Sequence, residues 1–385
     1  MNGQRKIRVA VVFGGRSTEH AVSCVGAGHI LAAIDRDRYE VVPVGITRDG
    51  RWVLTADDPS RLAIRGGELP SVEAVATPGT EVAARFDRGG ASGLVVTGPG
   101  EVPRSLGEVD VVLPLLHGAY GEDGTLQGLL EMTGTSYVGA GVLASAAGLD
   151  KEYMKLIFAG RGLPVGRYVI VRDRDWAPDG TSPAQQVATE RKRVLDEIGE
   201  LGWPVFVKPA RGGSSIGISR AGDQAELEEA IEAAREHDPK VLVEAAVEGI
   251  EIECAVLEGI DGGPPDASVP AQVLVGGGAD FYDFQAKYLE ADTGLTIPPP
   301  IPGEHVEQIR QLACAAFDAL SCEGLARVDF FYTPDGQILL NEINTMPGMT
   351  PASAFPVMWE ATGLPLPQLV DRIIQTALRK RRGLR

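Results

Sequence analysis

A short apolar run that ends in two glycines and leads into a helical pattern constrains the fold more than any other feature. Residues 7–13 are mainly apolar and predict a buried strand, which stops at Gly14 and Gly15. The residues after Ser17 carry apolar side chains at helical spacing. Strand, glycine turn and helix in this order predict a doubly wound α/β unit, in which ligands bind beside helix N-termini. Glu19, in the first helical turn, is therefore a candidate binding residue; the alternative is that it only complements the helix dipole.

Two further runs predict buried strands, at residues 41–46 and 109–116. The second run leads into His-Gly-Ala-Tyr-Gly-Glu-Asp-Gly, residues 117–124. Glycine-rich loops at strand ends often carry function, so His117 is a second candidate. Between the two strands, residues 57–107 are rich in glycine, proline and charge, which predicts loops and weak strands without identifiable chemistry.

A lysine and a glycine-rich loop indicate a phosphate site in the middle of the chain. Residues 203–209 predict a buried strand that contains Lys208, and a loop of glycines and serines follows at 211–217. A lysine within an apolar strand is costly unless its ammonium meets an anion, and the backbone N–H groups of such a loop suit phosphate. The loop is not a Walker A motif, and the alternative of a flexible linker fits poorly with Ile216 and Ile218, which interrupt it.

Two apolar runs near the C-terminus, residues 326–331 and 337–344, are separated by the turn sequence Thr-Pro-Asp-Gly and predict a β-hairpin. Side chains two residues apart on a strand share a face, so Glu342 and Asn344 point the same way. Strand pairing can bring Asp329 beside them. The hairpin therefore predicts a face with two carboxylates and one carboxamide.

This face suits a hard cation such as Mg²⁺, which prefers oxygen ligands and leans on substrate phosphates. Arg327 shares the face of Asp329 and would place a positive side chain beside the metal. The alternative is an ordinary hairpin with a solvated acidic face.

Other acidic residues follow predicted strands in the same half of the chain. Glu244 ends a run at 241–244, and Glu251 and Glu253 alternate along the run 250–257. Acids at the rim of a nucleotide cleft can accept hydrogen bonds from an adenine amino group or from ribose hydroxyls, and the alternative is that they are surface acids. Residues 281–300 contain aromatic side chains and one lysine between glycines and prolines, which predicts a lid.

Charge and cysteine spacing exclude several classes of function. The chain has 385 residues, enough for two or three domains, and a formal net charge of −17, which argues against nucleic acid or an anionic membrane as partner. No run is apolar enough to span a bilayer, and we expect no signal peptide, because the polar residues 4–6 lead directly into the first predicted strand. The four cysteines are scattered and form no CxxC pair, so we expect reduced thiols in a cytoplasmic protein.

Seven segments resemble the ATP-grasp ligases, and within them the D-alanine–D-alanine ligase family. They are GGRSTEHAVS (14–23), HGAYGEDGTLQG (117–128), DKEYMK (150–155), VKPARGGSSIG (207–217), FYDFQAKY (281–288), ARVDFF (326–331) and NEINTMPGMTPAS (341–353). Their joint occurrence in this order makes the resemblance specific, and it extends over nearly the whole chain. One position departs: the family usually has a second Glu two residues after Glu19, where this chain has Ala21.

The resemblance implies an α/β, three-domain ATP-grasp fold with an N-terminal doubly wound (pre-ATP-grasp) domain. The implied domains are residues 1–138 with the first D-alanine site, 139–241 with the phosphate loop, and 242–385 with the lid and the metal hairpin. The implied activity is the ATP-dependent joining of two molecules of D-alanine through an acyl phosphate, releasing ADP and phosphate, for peptidoglycan precursors. Members of this family are commonly homodimers, so a homodimer is implied as well.

The resemblance also assigns roles to individual residues. Two Mg²⁺ or Mn²⁺ ions would be held by Asp329, Glu342 and Asn344. ATP would be bound by Lys151, Lys208, Ser214, Ser215, Glu244, Glu251 and Lys287. The D-alanines would be held by Glu19 and His117 for the first and by Ser353 for the second, with Tyr282, Lys287 and Arg327 facing the substrates. The oxyanion would be stabilised by Arg327 and the Gly348 N–H group, and the attacking amine would be deprotonated with the help of Tyr288, Ser214 and Glu19.

Ionising a free tyrosine at pH 7 costs about 4 kcal/mol, since its pKa is near 10. We therefore expect Tyr288 to position and relay a proton rather than to act as a standing phenolate. The Tyr282, Lys287 and Tyr288 set also favours dipeptide formation, because the related D-alanine–D-lactate ligases carry a different lid.

Two alternatives remain at this point. Another ATP-grasp carboxylate–amine ligase would share Lys208, Asp329 and Glu342 but would have no reason to carry Glu19 or Ser353. A nucleotide-binding module without catalysis would tolerate loss of the metal ligands and of Arg327, which the chain retains.

Overall fold

The computed structural model of the protein describes residues 5–85, 93–97, 104–176, 184–213, 216–274 and 294–380. The strands of these residues form four sheets. The α-helices are His20–Ala33 (α1), Val72–Val75 (α2), Thr125–Thr133 (α3), Val142–Leu149 (α4), Lys151–Gly160 (α5), Asp173–Trp176 (α6), Ala184–Gly199 (α7), Gln224–Arg235 (α8), Gly303–Ala319 (α9), Ala354–Ala361 (α10) and Leu366–Arg379 (α11), with short 3-10 helices at Pro59–Leu62 and Ile260–Gly262.

The first sheet contains the predicted strand, glycine turn and helix. Its strands are Ile7–Gly14 (β1), Tyr39–Ile46 (β2), Trp52–Leu54 (β3) and Val111–Leu115 (β7), in the order β3-β2-β1-β7. Strands β2, β1 and β7 are parallel, and β1 is buried between its neighbours. Gly14 has φ of +91°, and a Cβ atom there would lie 2.3 Å from the Ile46 carbonyl oxygen, so only glycine fits this turn. Helix α1 begins at His20, and Glu19 lies at its N-cap, one residue before the first helical turn in which it was expected.

The segment between β2 and β7 is more regular than the sequence suggested. Residues Glu81–Arg85 (β4), Gly93–Thr97 (β5) and Arg104–Glu108 (β6) form an antiparallel three-stranded sheet. Weak strands were expected here, but their pairing was not.

The third sheet is antiparallel and carries the predicted phosphate strand. Its strands are Tyr168–Arg172 (β8), Val205–Pro209 (β9), Ser219–Ala221 (β10) and Lys240–Ala245 (β11), in the order β10-β9-β11-β8. Helices α7 and α8 contact its strands, and their apolar residues, among them Val194, Ile198 and Ile231, join its core.

The fourth sheet contains the predicted hairpin. Its strands are Ile250–Leu257 (β12), Asp266–Ala267 (β13), Ala271–Leu274 (β14), Gly294–Thr296 (β15), Leu325–Tyr332 (β16) and Ile338–Asn344 (β17), in the order β15-β14-β12-β16-β17 with β13 paired to β12. Strands β16 and β17 are antiparallel, with Asp329 opposite Glu342 and Arg327 opposite Asn344. A bulge between Asp329 and Phe330 separates this polar end from the rest of the ladder.

The C-terminal helix joins the two ends of the chain. Apolar residues of α11, such as Ile373, share one core cluster with residues of β1 and β2. The Tyr39 hydroxyl donates a hydrogen bond of 2.6 Å to Asp371 on this helix. Among the described residues, no helix has both the length and the apolar character needed to cross a bilayer.

Candidate active site

The hairpin brings its predicted polar residues together around one buried carboxylate. Arg327 donates two hydrogen bonds to Asp329, from Nε at 2.7 Å and from Nη2 at 2.6 Å. Asn344 Nδ2 donates a third, at 3.0 Å. Burial raises the pKa of Asp329 to about 7; the Arg327 charge opposes this shift, and the Glu253 and Glu342 carboxylates add to it. Arg327 alone therefore does not fully compensate the negative charge of the Asp329 carboxylate.

This donor set fits a divalent cation. Asp329 and Glu342 offer carboxylate oxygens, and Asn344 keeps its carboxamide oxygen for a ligand while its nitrogen is engaged. A nearby cation would counter the burial that raises the pKa of Asp329. No group of three or more His, Cys, Asp and Glu side chains suited to a metal occurs in the described part of the chain. A cation here would therefore need further oxygens from water or from a bound phosphate.

A cavity of about 310 Å³ lies between the hairpin and the third sheet. Its walls contain the predicted ATP-binding residues that the structure describes, together with Asp329 and Glu342 of the hairpin. These residues are Lys151, Lys208, Glu244 and Glu251. Four elements supply them: the start of α5, strands β9 and β11 of the third sheet, and β12. Residues distant in sequence thus line one chamber with both cationic and anionic groups.

The buried Lys155 and the partly buried Lys208 share the carboxylate of Glu244. Its Oε1 atom lies 2.6 Å from Lys155 Nζ and its Oε2 atom 2.5 Å from Lys208 Nζ. Although burial opposes it, the two ammonium charges hold the pKa of Glu244 well below its usual range. Lys155 was not predicted as a site residue, although its position four residues after Lys151 puts both on one face of α5. Both oxygens of Glu244, expected at adenine or ribose, are thus engaged with lysines in this structure.

Helix α5 also fixes the glycine-rich loop. The Lys151 backbone N–H donates to the Ala210 carbonyl at 2.9 Å, and its Nζ donates to the Gly212 carbonyl at 2.7 Å. Lys151 Nζ lies 3.6 Å from Glu342 Oε2 of the hairpin. This lysine therefore links the loop to the hairpin at the edge of the cavity.

A second cavity, of about 80 Å³, adjoins the first. It is lined by the predicted first-substrate residues Glu19 and His117 and by Gly348. Lys151, Gly212, Gly213, Arg327 and Glu342 line both cavities. The two chambers therefore meet at a lysine, an arginine and a carboxylate.

Two glycines allow loops to approach Glu19 closely. A Cβ atom at Gly118 would lie 3.3 Å from Glu19 Oε2, and one at Gly213 would lie 3.4 Å from the same oxygen. His117 is buried and its Nδ1 lies 3.0 Å from the Met346 carbonyl oxygen, to which it donates. The loop that follows β7 and the loop that follows β17 therefore enclose the smaller cavity together.

Glu122 is a cavity residue that the sequence analysis missed. It accepts hydrogen bonds from the Gly118 N–H at 2.7 Å and from the Met346 N–H at 3.1 Å. Burial raises the pKa of Glu122 to about 8, and the neighbouring Glu19 charge contributes to the shift. The available signal was its place in the glycine-rich loop after His117.

Some predicted site residues lie elsewhere. Ser353 is not among the residues that line the two cavities; its Oγ accepts from the Thr350 N–H at 3.0 Å, at the start of α10. Other predictions lie outside the described residues: Ser214, Ser215, Tyr282, Lys287 and Tyr288. Most of the predicted lid, residues 281–293, lies outside them as well.

Two family models match the chain: the D-ala D-ala ligase N-terminus at residues 8–140 and the D-ala D-ala ligase C-terminus at residues 157–375. A D-alanine–D-alanine ligase from Streptomyces coelicolor is 57% identical over 379 residues, which cover 98% of this chain and 95% of that protein.

Solved structures agree with these matches. The D-alanine–D-alanine ligase from Coxiella burnetii is 32% identical, with a TM-score of 0.78 over 97% of this chain and 94% of that one. The D-Ala:D-Ser ligase VanG from Enterococcus faecalis is also 32% identical, with a TM-score of 0.79 over 97% of this chain and 100% of that one. The fold is that of ATP-grasp enzymes, and the chain belongs to the D-alanine–D-alanine ligase family.

Proposed function

We propose that the two adjoining cavities divide the reaction of the family between them, with ATP in the larger chamber and the first D-alanine in the smaller one. The chain is an ATP-dependent ligase that joins two D-alanines into D-alanyl-D-alanine for the cell wall. One observation carries the assignment of the cavities: they meet at Lys151, Arg327 and Glu342. A terminal phosphate entering from one side can there meet a carboxylate entering from the other.

The polar groups of the larger chamber suit a triphosphate. Lys151 and Lys208 are directed to it from two elements, and the glycine-rich loop beside Gly212 and Gly213 offers backbone N–H groups. In this proposal Lys208 and Lys151 contact phosphates, with Ser214, Ser215 and Lys287 completing the set. Glu251 accepts from the ribose or adenine, whereas Glu244 also holds Lys155 and Lys208 in place.

Asp329, Glu342 and Asn344 would hold Mg²⁺ or Mn²⁺, as two ions. Bound there, a divalent cation would supply charge neutralisation for the phosphates of ATP. This proposal is supported by the geometry of the hairpin, which sets Asp329 opposite Glu342 and holds the Asn344 carboxamide beside Asp329. The raised pKa of Asp329 agrees with it, since a buried carboxyl beside other acids is stabilised by added positive charge.

The smaller chamber suits an amino acid. Glu19 would bind the ammonium group of the first D-alanine, and Arg327 would turn its carboxylate toward ATP. An oxygen of this carboxylate attacks the terminal phosphorus, the bond from that phosphorus to ADP breaks, and an acyl phosphate forms. Positioning of this kind can supply a large part of the rate enhancement.

The amine of the second D-alanine then attacks the acyl carbon. The carbonyl oxygen takes up negative charge, and Arg327 and the Gly348 N–H group donate hydrogen bonds to it. The tetrahedral intermediate collapses, the bond from carbon to phosphate oxygen breaks, and phosphate leaves with the amide formed. Tyr288, Ser214 and Glu19 would pass on the proton that the amine loses, and Ser353 would bind the second carboxylate, with Tyr282 beside the substrates.

Three coarser features complete the proposal. The separate sheets on either side of residue 138 support the first domain boundary. The predicted boundary at 241 lies within β11 of the third sheet, so we place the second boundary after Ala245, before β12. The protein is proposed to be a homodimer and to work in the cytoplasm, where ATP and D-alanine are available.

The test is identification of the product by mass after incubation with ATP and Mg²⁺. D-Alanine alone, D-alanine with D-serine, and D-alanine with D-lactate are compared at neutral pH. We expect D-alanyl-D-alanine as the main product in all three mixtures. A mixed D-alanyl-D-serine product in the second mixture would move the assignment toward a D-Ala:D-Ser ligase such as the one from Enterococcus faecalis. A depsipeptide in the third would overturn the role proposed for Tyr282, Lys287 and Tyr288.

A further inference from the structure

Glu122 connects the two loops that enclose the smaller cavity. One of its oxygens accepts from Gly118, in the loop after β7, and the other accepts from Met346, in the loop after β17. The two residues it joins are more than 200 positions apart in the sequence. No regular secondary structure makes this connection.

Hydrogen bonds hold both backbone polar groups of Met346. Glu122 accepts from its N–H group, and His117 donates to its carbonyl oxygen. His117 and Glu122 belong to the same glycine-rich loop, so this loop grips one residue of its partner through two opposed hydrogen bonds. Gly348, whose N–H group is the proposed oxyanion donor, lies two residues further on and lines the same cavity.

We propose that Glu122 is a positioning residue, which holds the Met346 peptide so that the Gly348 N–H group points at the reacting carbonyl oxygen. The proposal rests on the proposed function of the smaller cavity. Loss of either acceptor oxygen leaves a buried N–H group without its partner, which is expensive enough to move the loop. Displacement of an oxyanion donor typically lowers kcat by about a hundredfold or more.

The variants are Glu122→Gln, which keeps the size but has one acceptor oxygen, and Glu122→Asp, which keeps both carboxyl oxygens but is shorter. Glu131→Gln is the control, because Glu131 is an exposed residue of α3 in the same region. For Glu122→Gln we expect kcat to fall about ten- to a hundredfold and the KM for D-alanine to rise, with the KM for ATP within twofold of wild type. Glu131→Gln should match wild type in kcat, in the KM for D-alanine and in the KM for ATP.

Equal changes in the KM for ATP and for D-alanine would show a general loosening and would overturn the positioning role. Unchanged kcat in Glu122→Gln would overturn it as well. If Glu122→Gln does not fold, Glu122→Asp must show the same separation between D-alanine and ATP.

Hydrogen exchange of the Met346 amide separates this inference from the proposed function. Faster exchange of the Met346 amide in Glu122→Gln, without a change in distant amides such as those of α8, supports the positioning role of Glu122. This holds even if the wild type acts on other substrates. Wild-type protein that forms no dipeptide would refute the proposed function. An unchanged exchange rate of the Met346 amide would refute the positioning role of Glu122 and leave the proposed function untouched.

Discussion

The carboxylate of Glu244 and its two lysines make a sharp prediction about stability. Lys155 is 2% exposed, and both lysines lie within 2.6 Å of a Glu244 oxygen. In Glu244→Gln the ammonium groups of the buried Lys155 and the partly buried Lys208 would face a neutral amide. Removing one partner of a buried ion pair costs about 3–5 kcal/mol, because the remaining charge is uncompensated. We expect Glu244→Gln to lower the free energy of unfolding by an amount in this range.

Lys155→Met should be milder, because Glu244 and Lys208 remain paired. Its cost is an unpartnered carboxylate oxygen, about 1–3 kcal/mol. The double variant Glu244→Gln/Lys155→Met removes one of the two uncompensated charges and should be more stable than Glu244→Gln alone. Lys192→Met, on the exposed side of α7, is the control and should change stability by less than about 0.5 kcal/mol.

Urea unfolding without nucleotide measures all four variants on one scale. The reasoning fails if Lys155→Met is as destabilising as Glu244→Gln, since the charge balance would then be irrelevant. It also fails if the two changes are additive, so that the double variant is less stable than Glu244→Gln by the whole free energy of unfolding that Lys155→Met loses on its own.

Three further predictions follow from single sites. Burial lowers the pKa of His20, whose Nδ1 donates to the Gly15 carbonyl while Nε2 accepts from the Val72 N–H, so the folded state favours the neutral ring. Stability should therefore fall as pH drops below about 6.5, the unfolded pKa, and thermal melts of His20→Asn should lose this pH-dependent component. Asp329→Asn should raise the Mg²⁺ concentration needed for half-maximal activity at least tenfold, whereas Asp335→Asn in the exposed turn should not; equal responses would argue against the metal site. Burial raises the pKa of all four cysteine thiols, so iodoacetamide at pH 7 should label the native protein at less than one site, as counted by mass; rapid labelling of several would contradict this.

Local signals explain the parts of the fold that the sequence predicted. The turn after β1 requires glycine because of a close carbonyl, and the hairpin of β16 and β17 is set by alternation around a Pro-Asp-Gly turn. Both depend on residues that are near each other in the chain. The antiparallel pairing within residues 81–108 was missed, because its strands are short and rich in charge and glycine.

Contacts between distant segments explain what could not be predicted. Lys155 reaches Glu244 from another element, and Glu122 reaches Met346 across more than 200 positions. Spacing within one helix or strand carries no information on such pairs. The resemblance to a family supplied residue types for the site, but the charges that surround Asp329 and Glu244 appear only in three dimensions.

The central claim is that the two cavities meet where a phosphoryl group passes from ATP to the carboxylate of D-alanine. It is tested most directly by following ¹⁸O from the carboxylate of labelled D-alanine during turnover with ATP and Mg²⁺. Attack of this carboxylate on the terminal phosphorus predicts one ¹⁸O in the released phosphate for each dipeptide formed. Unlabelled phosphate, or label recovered in AMP, would contradict the acyl phosphate and the placement of the two substrates.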